Sequence, residues 1–399
     1  MVKPKTVLIK HSIILILLTL TLMSCNSPAY ISGKLEGNKT DGATIYLIKP
    51  NNLKEAAASY FGKAIDSAII DTKGYFKFVN TPNTTEPILL ELALKQPDKS
   101  SNYLITNNPI LANYMPILWQ TDETIKVKAN INHLQKSFTI ENPSEINKAI
   151  LELRDINLKA YETYLNGKEW HLEDGNQILD KEHAVLQYQT ELMKFANNTQ
   201  YLMPALIAIR WASTENDYER IPEFLVNQCH RWSKVQPEHT WVKQLCKQSE
   251  PDNLPVLIGD QFPNMTLPTI TKDTLSLNNQ LGKKITIIDL WASWCAPCRI
   301  ENREVLVPLW EEYNTQGLQI IAYALESSKK SWQVATHKDG ANRWLNVSDL
   351  QGDDTPFLKK IRVQTIPTNF ILNDKGVVIA KNLHGKELMH WVKDYIEKQ

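Results

Sequence analysis

The chain has 399 residues, and its 44 basic and 44 acidic side chains leave a formal net charge of zero. That length accommodates two or three domains, each with its own core, since a domain takes roughly 100 to 200 residues. A neutral chain lacks the basic excess that phosphate recognition requires, so we expect no nucleic-acid partner. Hydrophobic residues at 43% and charged residues at 22% exclude an intrinsically disordered chain.

The N-terminal residues set one of the five cysteines apart. A basic stretch precedes an uncharged apolar run over residues 13–23, about half the ~20 residues of a membrane-spanning helix, which predicts a signal-peptide core. The ending Leu22-Met23-Ser24-Cys25 resembles the bacterial lipobox, in which cleavage precedes the cysteine and the thiol is acylated. We therefore expect residues 1–24 to be a signal peptide and Cys25 to carry a lipid anchor. An uncleaved membrane anchor is the alternative.

Two regions without an obvious reactive motif follow. Residues 25–140 contain short alternating apolar and polar runs separated by turn residues, which predicts a small antiparallel β-sandwich. The period changes near Pro143, a residue suited to the first turn of a helix. Apolar residues at helical spacing then predict that residues 141–250 form a mostly helical region.

Cys229 and Cys246 lie in the last part of this helical region, and Gln236-Pro237-Glu238 between them is a predicted turn. A chain that folds back at this turn brings the two thiols close, and in an exported protein such thiols form disulfides. Three interpretations remain open at this point: a structural disulfide, two free buried thiols, or a metal site that uses His230.

Residues 251–399 alternate between predicted strands and helices, in the order βαβ followed by ββα, which indicates an α/β domain. The predicted elements are a buried strand at 285–290, a helix at 297–315, a strand at 318–325, a helical stretch at 329–338, a strand pair at 369–372 and 377–381, and a closing helix from 386.

Cys295-Ala296-Pro297-Cys298 stands between the first of these strands and its helix. At a helix N-terminus, exposed backbone N–H groups and the helix dipole favour thiolate over thiol, so we expect Cys295 to be the attacking nucleophile. Cys298, within the first turn, then resolves the mixed disulfide. A zinc site would need a second Cys-x-x-Cys, and haem attachment would need a histidine where Arg299 stands, so we expect neither a metal nor a cofactor.

Asp289 lies six positions before Cys295, inside an otherwise apolar strand, where a carboxylate is costly unless it has a task. Burial raises the pKa of a carboxyl group toward the working range of a general base. The sequence therefore predicts that Asp289 accepts the proton of Cys298 during resolution.

These residues resemble a known family. The matching positions are Asp289, the run Trp291-Ala292-x-Trp294-Cys295-x-Pro297-Cys298-Arg299, Glu301, and Ile366-Pro367-Thr368. From about residue 255 the chain resembles the TlpA/ResA-like thiol-disulfide oxidoreductases, which have a thioredoxin fold and are tethered to bacterial membranes outside the cytoplasm. The whole chain resembles bacterial lipoproteins that carry a β-sandwich of unassigned function and a helical region ahead of such a domain.

The resemblance implies roles for three further residues. Pro367 is expected to be cis and to face the dithiol, so that the backbone of Ile366 pairs with a substrate strand. Trp294, next to Cys295, is expected to shape the substrate face. One position departs from the pattern: Arg303 stands where many relatives have a proline that kinks the first helix.

The predicted function is exchange of the Cys295/Cys298 dithiol with disulfides of exported proteins, with electrons supplied by a membrane thiol reductase. The location would be the cell envelope, facing the periplasm or the exterior. The Ala296-Pro297 dipeptide lacks the histidine of strongly oxidising relatives, which favours a reductant. One alternative is a binding lipoprotein with an accessory redox domain. Another is a thioredoxin-fold peroxidase, although its Pro-x-x-x-Thr/Ser-x-x-Cys motif is missing.

Overall fold

The computed structural model describes residues 30–38, 40–57, 63–95, 108–121, 123–171, 175–271 and 273–398. The predicted signal peptide and Cys25 lie outside these ranges. Within them the chain forms two compact units, one from residues 30–50, 63–95 and 111–148, the other from residues 51–57, 108–110 and 149–398. None of the helices in the described ranges has the length and apolar character needed to span a membrane.

The first unit contains two four-stranded sheets with the strand orders β4-β1-β7-β8 and β3-β2-β5-β6. Its elements are β1 Tyr30–Glu36, β2 Thr44–Lys49, β3 Lys63–Ile69, β4 Tyr75–Lys77, β5 Ile88–Leu94, β6 Tyr114–Trp119, β7 Thr124–Asn130, a one-turn helix α1 Leu134–Ser137, and β8 Thr139–Ile140. In β7 buried residues alternate with exposed ones, as in a strand with one solvated face, whereas β6 is buried throughout.

One pairing in this unit corrects the sequence interpretation. Strands β1 and β7 run parallel, with Tyr30 opposite Thr124 and Glu36 opposite Asn130, whereas an antiparallel arrangement was expected throughout. Two parallel strands need a long connection between them. Here the stretch of chain from β1 to β7 contains all four strands of the other sheet.

Helices follow, as the change of period predicts, and all but the first residues of this region belong to the second unit. They are α2 Glu145–Tyr164, α3 Gly175–Asn198, α4 Leu202–Ala212, α5 Pro222–Val235 and α6 Thr240–Gln248. Helix α4 is buried along nearly its whole length, which fits its run of apolar residues. Helix α5 begins with Pro222, which lacks the N–H that a first-turn residue would leave unpaired.

The C-terminal part has a five-stranded mixed sheet with the strand order β13-β12-β11-β14-β15, and a small hairpin of β9 and β10 beside it. The strands are β9 Thr266–Pro268, β10 Thr274–Ser276, β11 Ile285–Trp291, β12 Leu318–Ala324, β13 Leu345–Val347, β14 Thr368–Asn373 and β15 Val378–Lys381. The helices are α7 Ala296–Glu301, α8 Val307–Tyr313, α9 Lys329–Lys338, α10 Pro356–Ile361 and α11 Gly385–Glu397.

Every residue of the central strand β11 is buried. Its apolar side chains, such as Ile287 and Ile288, each stabilise the fold by roughly 1.5–3 kcal/mol relative to exposure. The strand runs parallel to β12 and antiparallel to β14. This packing fixes where β11 ends, and therefore where the Cys-x-x-Cys segment begins.

A π-helical turn at Asn302–Leu306 joins α7 to α8, so one continuous helical rod runs from the dithiol to Tyr313. Pro308 follows this turn and cannot donate a backbone hydrogen bond to the preceding turn. The helical segment from the dithiol to Tyr313 is therefore irregular. Many relatives have a proline at the position of Arg303, and here the irregularity is present without that proline.

Candidate active site

Cys295 is the N-cap residue of α7, and its Sγ accepts a hydrogen bond from the backbone N–H of Cys298 at 3.3 Å. Pro297 occupies the first helical turn, where no N–H is needed. The two sulfurs are joined in a disulfide, with the Cα atoms 5.3 Å apart. The dithiol is therefore in its oxidised form, and Cys295 is only 5% exposed.

Asp289 lies in the middle of β11, opposite Ala322 of β12 and Asn369 of β14. Its side chain is buried, and burial together with the nearby charge of Glu301 raises the pKa of Asp289 to about 8. A carboxyl group with such a pKa exchanges protons at near-neutral pH, as a general base or acid must.

Glu301 and His384 meet in a largely buried contact that the sequence does not predict. Glu301 is 3% exposed and accepts a hydrogen bond from the backbone N–H of Gly385 at 3.2 Å. His384 Nδ1 lies 3.7 Å from Glu301 Oε1, and its side chain is 16% exposed. Because these contacts join residues more than 80 positions apart, no local pattern reveals them.

The peptide bond between Ile366 and Pro367 is cis, and β14 begins at the next residue, Thr368. The register pairs Thr368 with Leu290 of β11, one residue before that strand ends. Residues 364–367, called the cis-proline loop below, therefore lie at the same end of the sheet as the segment that leads to Cys295. Thr368 Oγ1 donates to the carbonyl of Thr365 at 2.7 Å and steadies the loop.

Trp294 is 63% exposed beside the almost buried dithiol, while Trp291 is fully buried in the core. The backbone N–H of Ser293 donates to the carboxylate of Glu326, a buried residue that follows β12. Glu326 was not singled out from the sequence. The contact fixes the loop that presents Trp294 to solvent.

Another buried carboxylate anchors α7, the helix that begins at the dithiol. Asp339 caps the C-terminus of α9 and accepts two hydrogen bonds from Arg299, at 2.7 and 2.8 Å, and one from Arg303 at 2.9 Å. The hydrogen bonds to Asp339 raise the pKa of Arg299, so its positive charge beside Cys298 is permanent. Arg303, at the position where many relatives have a proline, thus shares Asp339 with Arg299.

Cys229 of α5 and Cys246 of α6 are joined in a disulfide, with their Cα atoms 4.9 Å apart. The pair links two helices of the helical region, and neither residue belongs to α7. Within the described ranges, no group of three or more His, Cys, Asp or Glu side chains is arranged to hold a metal ion.

A mixed sheet with a Cys-x-x-Cys at the start of a helix and a cis-proline before a neighbouring strand defines a thioredoxin-fold dithiol protein, as the sequence predicts. Comparison with known proteins agrees: a model of the AhpC/TSA family matches residues 258–381. The chain is 32% identical to the thioredoxin-like protein YneN of Bacillus subtilis over 122 residues, which cover 30% of this chain and 68% of YneN.

The chain is also 25% identical over 138 residues to the thiol-disulfide oxidoreductase ResA of Bacillus subtilis, covering 35% of this chain and 73% of ResA. A solved thiol-disulfide oxidoreductase from Bacteroides fragilis aligns with 27% identity and a TM-score of 0.32, over 34% of this chain and 98% of that one. The chain belongs to the ResA/TlpA-like thiol-disulfide oxidoreductases of the AhpC/TSA family. The predicted family and enzyme class are thereby confirmed, and so is the thioredoxin fold predicted for the C-terminal domain.

Proposed function

We propose that this enzyme is tethered to a membrane outside the cytoplasm and reduces disulfides of exported proteins, with electrons returned by a membrane thiol reductase. The observation that carries the proposal is the dithiol at the N-terminus of α7, with Asp289 buried in the strand that leads to it. Family membership supplies the reaction class. The direction, the location and the residue roles are our proposal.

In the reduced enzyme, the Cys295 thiolate attacks one sulfur of a substrate disulfide. The substrate's sulfur–sulfur bond breaks, its other sulfur leaves as a thiolate, and a mixed disulfide forms between Cys295 and the substrate. The first turn of α7 favours the Cys295 thiolate, since its N–H groups carry the positive end of the helix dipole.

Cys298 completes the exchange. Asp289 takes the proton of the Cys298 thiol, and the resulting thiolate attacks Cys295 Sγ and expels the second substrate thiolate. Two electrons have then passed from the dithiol to the substrate, and the enzyme holds the Cys295–Cys298 disulfide. Near neutral pH only a fraction of Asp289 is unprotonated, because its pKa is about 8, and that fraction is the form that accepts the proton.

Three observations support the finer parts of the proposal. The residues between the cysteines, Ala296 and Pro297, include no histidine, which favours a reductant. The Cys229–Cys246 disulfide is of the kind that persists in oxidising compartments. The sequence ending at Cys25 resembles a lipobox, and acyl chains hold a protein at a membrane surface by about 0.8 kcal/mol per buried methylene.

The test is reduction of insulin disulfides by the full-length chain with dithiothreitol as the electron source. We expect turnover by the wild type and none by Cys295→Ser, with Asp374→Asn, an exposed turn residue of the same domain, as the control. Insulin reduction that survives in Cys295→Ser would overturn the assignment, and turnover of hydrogen peroxide instead of insulin would favour the peroxidase. A reduction potential near about −270 mV supports a reductant and one near about −120 mV an oxidant.

A further inference from the structure

The segment between α4 and α5 contacts the cis-proline loop. Glu219, in this segment, accepts hydrogen bonds from the backbone N–H groups of Gln364 and Thr365, each at 3.2 Å. Its Oε1 also accepts from Thr365 Oγ1 at 2.8 Å. One carboxylate of the helical region thus holds both loop residues that precede Ile366.

The next residue, Arg220, holds the other side of the same loop. Its guanidinium donates to the carbonyl oxygen of Pro367 at 3.2 Å and to Thr368 Oγ1 at 3.0 Å. It also donates to Asn382 Oδ1 at 3.0 Å and pairs with Glu182 of α3 at 3.3 Å. Glu219 and Arg220 therefore bracket Ile366, whose own backbone groups accept and donate no hydrogen bond within the described part of the chain.

Further contacts of the same unit keep this segment in place. Helix α3 lies against the redox helix α7. In the first turn of α5, Glu223 forms an ion pair with Lys381 of β15 at 2.7 Å, and the Lys381 side chain is only 5% exposed. Glu223 also accepts from the backbone N–H of Ile258 at 3.0 Å. The segment with Glu219 is thus fixed to the five-stranded sheet independently of its contacts with the cis-proline loop.

We infer that Glu219 and Arg220 are positioning residues for protein substrates: they hold the cis-proline loop so that Ile366 presents its backbone to an extended substrate segment beside the disulfide. This inference rests on the proposed function and adds the helical region to the substrate-binding face. Gln364 and Thr365 are exposed, and their N–H groups would face solvent without the carboxylate. Because the loop is already ordered in the free enzyme, the binding free energy is not reduced by the entropic cost of ordering the loop.

The experiment compares two substrates of the full-length chain. Insulin offers a peptide backbone beside its disulfides, whereas 5,5′-dithiobis(2-nitrobenzoic acid) has none. For Glu219→Ala and Arg220→Ala we expect the KM for insulin to rise about tenfold, because charge-assisted hydrogen bonds are lost. The kcat should stay within about twofold of wild type. The reduction potential of Cys295/Cys298 should stay within about 10 mV of wild type. The ratio of insulin activity to small-disulfide activity then falls about tenfold.

Two variants sharpen the test. Glu219→Gln keeps one acceptor oxygen and should lie between wild type and Glu219→Ala. Glu215→Ala removes an exposed carboxylate of the same segment and should match wild type. The inference is overturned if the KM for insulin is unchanged in both alanine variants, or if insulin and small-disulfide activities fall by the same factor.

Hydrogen exchange separates this inference from the proposed function. The amides of Gln364 and Thr365 should exchange faster in Glu219→Ala than in wild type, with no change at the β11 amides. Faster exchange in an enzyme that never reduces insulin would preserve the positioning role while the proposed function fails. Unchanged exchange at both amides would refute the positioning role even in an active reductase.

Discussion

Asp289→Asn tests the most unusual group of the site. The folded-state pKa of Asp289 is about 8 against an ordinary value of 3.8, because the carboxyl group is buried and Glu301 lies nearby. Since the folded pKa is raised, the folded state binds a proton that the unfolded state releases. The contribution of this proton to stability is complete below pH 3.8, falls as pH rises, and is lost above about pH 8.

The magnitude follows from linkage. Each pH unit inside this window changes the free energy of unfolding by about 1.36 kcal/mol, so the wild type loses about 4 kcal/mol between about pH 5 and about pH 8 through Asp289 alone. An asparagine cannot ionise and keeps its hydrogen-bonding capacity in the strand. The difference in unfolding free energy, variant minus wild type, should therefore become about 4 kcal/mol more positive over this range.

The assay is guanidinium denaturation of the oxidised enzyme at several pH values, read by tryptophan fluorescence. Oxidised protein is used because Cys295 and Cys298 then do not titrate. Ionisable groups that do not interact with Asp289 cancel in the difference between variant and wild type, and Asp374→Asn controls for loss of an exposed carboxylate. A difference that stays constant from pH 5 to pH 8 would refute the raised pKa and remove the argument for Asp289 as proton acceptor.

Three further predictions concern cysteines. Cys298→Ser should accumulate a dithiothreitol-sensitive mixed disulfide between Cys295 and the substrate, visible on non-reducing gels; its absence would contradict the resolving role. The double variant Cys229→Ser/Cys246→Ser should keep insulin reduction. Its free energy of unfolding in urea should fall by about 3 kcal/mol, because a disulfide with a sequence separation of 17 is lost. An unchanged midpoint of urea denaturation would contradict this. Cys25→Ser should shift the full-length chain from the membrane to the soluble fraction, whereas retention would favour an uncleaved anchor.

The fold was most predictable where local patterns are strong. Helix α9 spans the predicted residues Lys329–Lys338, and β11 extends the predicted strand by one residue. Asp289 stood out because a carboxylate in an apolar run is costly unless it has a task. Short elements such as β13 were missed, because three residues carry too little periodicity to be recognised.

The missed parts of the site depend on contacts between distant residues. Glu219 and Arg220 lie about 145 positions before the loop they hold, in a polar stretch typical of a solvated turn. Glu301 and His384 meet only after β14 and β15 place the start of α11 beside the redox helix. The parallel pairing of β1 with β7 is equally non-local, and strand order cannot be read from alternation alone.

The contacts of α5 link the structural disulfide to the substrate face. Ile221, which follows Arg220, is the N-cap of α5, and Cys229 within α5 is bonded to Cys246 of α6. Because a disulfide limits local unfolding of the helices it joins, we expect it to hold the start of α5, and with it Glu219, against the cis-proline loop. Under reducing conditions that constraint disappears. The substrate face proposed here is therefore held more firmly where the Cys229–Cys246 disulfide persists, as it does in an oxidising compartment.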